Sequence, residues 1–125
     1  MKDRENFFEV WGGISGAQHL LALLLDFGIS PEQIADLTSV NVAKRFRINH
    51  KGDVAVGNDA DFTIVDPDAE ETITADSLFY RHRHSPYVGR KLRGRVVRTV
   101  LRGQTIYCDG KVGAQPNGEF IQPRL

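Results

Sequence analysis

The stretch Arg95-Val96-Val97-Arg98-Thr99-Val100-Leu101, continued by Arg102-Gly103-Gln104 and Thr105-Ile106-Tyr107-Cys108, decides the fold class. Val96, Arg98 and Val100 alternate apolar and basic on one side of an extended chain, with Val97, Thr99 and Leu101 on the other. A period of two interrupted by a short glycine-containing turn is the signature of a β-hairpin, and Asp109-Gly110 closes it. Moving upstream, Phe62, Ile64 and Val65 form a strand approached through Gly57-Asn58-Asp59-Ala60-Asp61 and closed by Asp66-Pro67. Thr72-Ile73-Thr74 is a second short β segment. Downstream, Gln115-Pro116-Asn117-Gly118 forms turns, and the tail packs only through Phe120 and Ile121.

Upstream of Lys51-Gly52 the pattern changes to helix. Ser15 is placed to cap a helix carrying Leu20, Leu21, Leu23, Leu24 and Leu25, with Gly28 at its end. Leucines on nearly every side mean that this helix is covered all round. Ser30-Pro31-Glu32-Gln33 starts a second helix with a capping box and proline in the first turn. Ile34, Ala35 and Leu37 give it a short apolar face. Thr38-Ser39 offers a new cap, so a third short helix bearing Val42, Ala43 and Phe46 is expected after a polar break. The fold class expected is α+β, with helices in residues 1–50 and a small, mainly antiparallel sheet in 51–125.

The 125 residues carry 16 Lys+Arg and 16 Asp+Glu, a balance with no electrostatic footprint for nucleic acid or an anionic membrane. One cysteine, Cys108, excludes an internal disulfide and fits a reducing compartment. The run Leu20–Leu25 is far shorter than the roughly 18–20 residues of a bilayer span. The segment MKDRENFFEV has no apolar core of a signal peptide, so a cytoplasmic location is expected.

His82-Arg83-His84 places two imidazoles on one side of an extended chain, half of a zinc site. No further ligand stands at a recognisable spacing, and Arg81, Arg83 and Arg90 oppose a cation, so a polar surface segment is the better reading. Gly13-Ile14-Ser15-Gly16 is one residue short of a nucleophile elbow, and no strand precedes it. Gly12, Gly13 and Gly16 nevertheless make a tight loop whose backbone N–H groups suit an anion or a carbonyl. Cys108 has no neighbouring base and reads as a packed thiol. Asp59-Ala60-Asp61 and Asp66-Pro67-Asp68 have the spacing of turns. Arginines 90, 93, 95, 98 and 102 read as a solvated face or an interface. From the residues alone, no nucleophile–base–orienter set and no full metal site assembles, so no catalytic or metal-binding residue is assigned.

The ordered string of motifs resembles a known family. Phe8-x-x-Trp11-Gly12-Gly13-Ile14-Ser15-Gly16 leads into the leucine-rich helix, followed by Leu37-Thr38-Ser39-x-Asn41-x-Ala43-Lys44-x-Phe46. Lys51-Gly52-x-Val54-Ala55-x-Gly57-x-Asp59-Ala60-Asp61-Phe62 and Tyr80-Arg81-His82-Arg83-His84-Ser85-Pro86-Tyr87-x-Gly89-Arg90 come next, then Gly94-Arg95-Val96 through Gln104. This resembles the C-terminal portion of a cyclic amidohydrolase of the allantoinase type, related to dihydroorotases and to hydantoinases/dihydropyrimidinases. The glycine-rich approach to Phe62 is shared across the superfamily; Trp-Gly-Gly-Ile-Ser-Gly and His-Ser-Pro-Tyr-x-Gly-Arg single out allantoinases. The resemblance runs from about Phe7 to Phe120.

The resemblance implies a (β/α)₈ barrel enzyme that hydrolyses a small cyclic amide, allantoin to allantoate, with a zinc-like binuclear divalent metal centre. It implies that the metal ligands lie upstream of the Trp11–Gly16 segment, so this chain is expected to hold no cofactor and to be inactive alone. Residues 1–50 would correspond to the end of the barrel, leaving it incomplete, and 51–125 to half of a β-sandwich and a tail. The loop Gly12, Gly13 and Ser15 would follow the eighth barrel strand and touch the substrate ring. His82 and His84 would fall outside the family's metal motif. Uncovered edges predict self-association or a barrel-bearing partner chain. Three other readings stay open: a non-catalytic assembly or regulatory module, a truncated gene product, and a piece of a dihydroorotase- or hydantoinase-like enzyme.

Overall fold

A computed structural model describes residues 5–10, 13–113 and 115–123. A 3₁₀ turn at Ala17–His19 leads into helix α1, Leu20–Asp26. Ser15 does not cap it. Gly16 is the N-cap of the 3₁₀ turn and His19 that of α1, neither with a side-chain bond. The leucines are also not covered all round: Leu23 and Leu25 are buried, whereas Leu20 is 52% exposed. Leu21 and Leu24 are half-buried, so the cover of the helix is partial.

Helix α2, Pro31–Ala35, starts with the expected capping box between Ser30 and Gln33. The polar break after it does not exist. A π-helical turn, Asp36–Val40, carries the chain without interruption into α3, Asn41–Phe46. Thr38, instead of capping, turns its hydroxyl back onto the Ile34 carbonyl at 2.7 Å, which satisfies it inside the helix. Arg47 ends α3 in the left-handed conformation, φ 52°.

The sheet has four antiparallel strands in sequence order: β1 Phe62–Thr72, β2 Lys91–Leu101, β3 Gln104–Cys108 and β4 Lys111–Val112. The β2–β3 hairpin is the one read from the sequence. Arg102 and Gly103 both adopt positive φ, 45° and 80°, as a two-residue turn with the native strand twist requires. β1 does not close at Asp66-Pro67. The ladder shifts register between Asp66 and Glu70, and the bulge absorbs the proline, which has no N–H to donate. The Asp66 carboxylate accepts the amides of Asp68 and Ala69 across this bulge, each at 3.1 Å. Thr72-Ile73-Thr74 is therefore not a separate strand: Thr72 ends β1, and Ile73 turns inward, 4% exposed.

The core sits at one end of the sheet, where Leu23 of α1, Ile73, Leu78 and Leu92 pack with Ala22, Tyr80 and Tyr87. α1 lies directly on β2. A Cβ at Gly94 would stand 2.6 Å from Leu25 Cδ1, and φ there is +91°, so glycine is needed on both counts. The Asp26 carboxylate accepts the Arg93 amide at 3.1 Å and fixes the sliding position of helix on strand. At the other end, Phe62 and Ile64 of β1 remain 38% and 45% exposed. The tail is held by Asn117 on Gln104 (2.7 Å) and by Arg102 near Glu119 (3.7 Å). Ile121 reaches the groove beside Thr38 and Val42, but Phe120 points outward, 87% exposed, against the packing role expected of it.

Candidate functional site

The glycine-rich loop before α1 is described from Gly13 onward; Gly12 and Trp11 lie outside the described residues. Gly13 has φ +84°, Ile14 is 63% exposed and Ser15 is half-buried, so the described loop faces outward. The segment between β1 and β2 braces its base. The Ser85 hydroxyl, in a residue 6% exposed, donates to the Ser15 carbonyl at 2.7 Å. The Tyr87 ring lies so close to Gly16 that a Cβ there would be 3.1 Å from Tyr87 Cε2. The Gln18 backbone N–H donates to the Tyr80 hydroxyl at 2.8 Å. The Gln18 side chain donates to the Ser77 carbonyl and accepts from the Phe79 amide, at 2.8 and 2.9 Å.

His19 closes the constellation. Its amide donates to the Gly16 carbonyl at 3.1 Å, and its ring packs edge-on to Tyr87, with centroids 6.5 Å apart. The residue is buried, and Nε2 has no hydrogen-bond partner among the described residues. Burial lowers its pKa below the ordinary 6.5, against the opposing pull of the Glu71 carboxylate, so the ring is held neutral near pH 7.

A second polar cluster lies at the far end of the sheet. The Lys51 ammonium bridges Asp59, at 2.7 Å, and Asp61. The other oxygen of Asp61 accepts the Arg102 amide at 2.7 Å, and Gly103 N–H bonds the Ala60 carbonyl at 2.9 Å. Burial works against both charges, but the mutual hydrogen bonds and attraction win: the Lys51 pKa is raised and that of Asp61 lowered. The acidic pair thus clasps the 51–61 loop to the β2–β3 turn.

His82 and His84 are exposed on an irregular segment, as a polar surface reading expects. Among the described residues no group of three His, Cys, Asp or Glu side chains is placed to hold a metal ion. The binuclear centre implied by the resemblance therefore does not fit the donors described here, and no chemical step is derived through it. Cys108 is half-buried, with Sγ 3.5 Å from an Asp109 carboxylate oxygen. Of the arginine stripe, Arg95 pairs with Asp109 at 3.1 Å and Arg90 lies over the Tyr87 ring at 5.9 Å. No helix among the described residues is long and apolar enough to cross a membrane.

The amidohydrolase family model matches residues 6–106. The chain belongs to the amidohydrolase family. This amidohydrolase chain is 50% identical to an allantoinase of Rubrobacter xylanophilus over 99% of its own length, and 42% identical to an allantoinase of Solibacter usitatus, also over 99%. It spans about 28% of the length of each of these relatives. Among solved structures it superimposes on the L-hydantoinase (dihydropyrimidinase) from Arthrobacter aurescens with a TM-score of 0.86 and 27% identity, covering 94% of this chain and 28% of that one. For the D-hydantoinase (dihydropyrimidinase) from a Thermus species the TM-score is 0.81 and the identity 26%, over 89% of this chain and 26% of that one. The resemblance read from the motifs is thus the similarity found.

Sequence reasoning picked out the loop but missed its supports. In the sequence Ser85 and Tyr87 stand only within a family motif, and nothing local marks Gln18 or Tyr80 as a support. Residues 15 and 85 are 70 positions apart, and no local pattern announces their contact. The available signal was chemical: Ser85-Pro86-Tyr87 offers a hydroxyl and a ring in a segment otherwise crowded with charge.

Proposed function

We propose that these residues form the C-terminal portion of an allantoinase-type cyclic amidohydrolase. In that portion, residues 1–50 stand at the end of the barrel and 51–125 supply half of a sandwich with its tail. In this reading the loop Gly12, Gly13 and Ser15 presents main-chain polar groups to a small cyclic amide, while the rest of the enzyme would hold the metal centre, which would supply an activated water. The observation that carries it is the 50% identity to an allantoinase over 99% of this chain but 28% of the relative. The outward face of the loop and its bracing from Ser85 suit a backbone that must hold a substrate ring in one orientation. The chain alone does not hydrolyse allantoin. Allantoate formation by the purified 125-residue protein, supplied with zinc and checked for host enzyme, is expected to be absent. Metal-dependent turnover by the pure chain would refute that.

Phe62 and Ile64 are exposed on β1, the first strand in the sheet order, and favour a second element of the reading: another chain covers this face. A barrel-bearing chain or a second copy would both do so, with the chain acting as an assembly module. Light scattering of the purified chain is expected to show self-association, lost on adding a barrel-bearing chain that binds it. A monomer that ignores such a chain would contradict it.

A further inference from the structure

We infer that Ser85 and Tyr87 are positioning residues for the loop before α1, setting where its main chain meets the substrate. This rests on the reading of that loop as substrate-facing. Burying a hydroxyl is costly unless it is bonded, and Ser85 is bonded twice. It accepts from the Tyr87 amide at 3.4 Å and donates to the Ser15 carbonyl at 2.7 Å, so its proton has one direction in which to point. Tyr87 then lays its ring against Gly16 and His19, with Arg90 over the ring. Gln18, one residue before His19, is tied to Ser77, Phe79 and Tyr80.

The grip runs from Ser15 to His19 and leaves Ile14 outward, so it fixes the base of the loop without covering its tip. Gly16 is part of the fit. With no Cβ it lets the ring approach, and an added methyl would meet Tyr87 Cε2 at 3.1 Å. Either the ring or the loop must then move by a few tenths of an ångström. Because Ser15 is the neighbour of Gly16 and the acceptor of Ser85, the displacement passes directly to the residues proposed to face the substrate. Misplacing a reacting group by about 1 Å can cost up to ~10²-fold in rate, so small shifts here are readable as activity.

Two measurements test this. In the full 125-residue chain, Ser85→Ala is expected to speed amide hydrogen exchange at Gln18 and His19 about 10-fold, the scale of one lost hydrogen bond. Ser85→Thr, which keeps the hydroxyl, restores protection. Unchanged exchange in Ser85→Ala would overturn the brace. The second measurement uses a chimera of the Rubrobacter xylanophilus allantoinase in which this chain replaces its matched segment, assayed on allantoin. Ser85→Ala and Gly16→Ala are expected to lower kcat by roughly 10- to 100-fold, with KM moving less. Tyr87→Leu recovers part of the loss in Gly16→Ala. An active chimera whose folded variants keep their kcat overturns the positioning role and leaves the proposed function standing. A folded chimera that does not act on allantoin overturns the proposed function, and the substrate role of the brace falls with it.

Discussion

The two ends of the sheet are held by different physics. At the α1 end, Leu92 is 2% exposed, Ile73 4% and Leu78 6%, and the helix sits so close to β2 that Gly94 has no room for a side chain. At the other end, Phe62 and Ile64 are open, Val54 and Val56 are more exposed still, and a charged clasp of Lys51, Asp59 and Asp61 does the holding. The difference teaches where this chain is self-sufficient. Apolar packing concentrates beneath the glycine-rich loop, and the face remote from it stays open, as the proposed covering chain requires.

Substitutions sharpen that contrast. Gly94→Val is expected to be the most damaging, since its branch would enter the Leu25 side chain in a backbone conformation hostile to β-branched residues. A loss of about 3 kcal/mol or more, or failure to fold, should appear in urea titration. Leu92→Ala empties a well-packed site and should cost about 2–4 kcal/mol in the same titration. Asp61→Asn breaks the clasp from the carboxylate side; about 1–2 kcal/mol is expected, since the pair is only partly shielded from water. Ile64→Thr, at the open end, should stay within about 0.5 kcal/mol and reduce self-association. If Ile64→Thr cost as much as Leu92→Ala, the contrast between the ends would be wrong.

Acid should separate the ends as well. The lowered pKa of His19 means that the unfolded chain binds its proton more readily. The stability His19 contributes is therefore complete above 6.5 and lost as pH falls below that value toward the folded pKa. Asp61, also lowered, keeps its contribution down to 3.8 and loses it only below that. Melting temperature measured from pH 8 to 3 should fall in two stages, and His19→Gln should remove the upper one.

The parts legible in the sequence were those specified locally. Ser30-Pro31-Glu32-Gln33 announces a helix start through residues three apart, and Arg102-Gly103-Gln104 announces a hairpin as a glycine-containing turn between two runs of period two, its first two residues adopting positive φ in the fold. The π turn at Asp36–Val40 was not legible, because Thr38 has two ways to satisfy its hydroxyl and only packing chooses between them. Pro67 misled for a similar reason. A proline normally stops a strand, but a bulge lets β1 continue to Thr72. The loop at Gly13 was visible as a glycine cluster, whereas Ser85 and Tyr87, which hold it, come from a segment that is distant in sequence and reach it only through the fold.

The central claim is that this chain supplies the substrate-facing loop to an enzyme whose metal centre is built elsewhere. It is tested most directly by the allantoin-hydrolysing activity of the chimera in which this chain replaces the matched segment of the Rubrobacter xylanophilus allantoinase. The account predicts metal-dependent conversion of allantoin to allantoate at a rate near that of the parent enzyme. A folded, metal-loaded chimera that leaves allantoin untouched would contradict it.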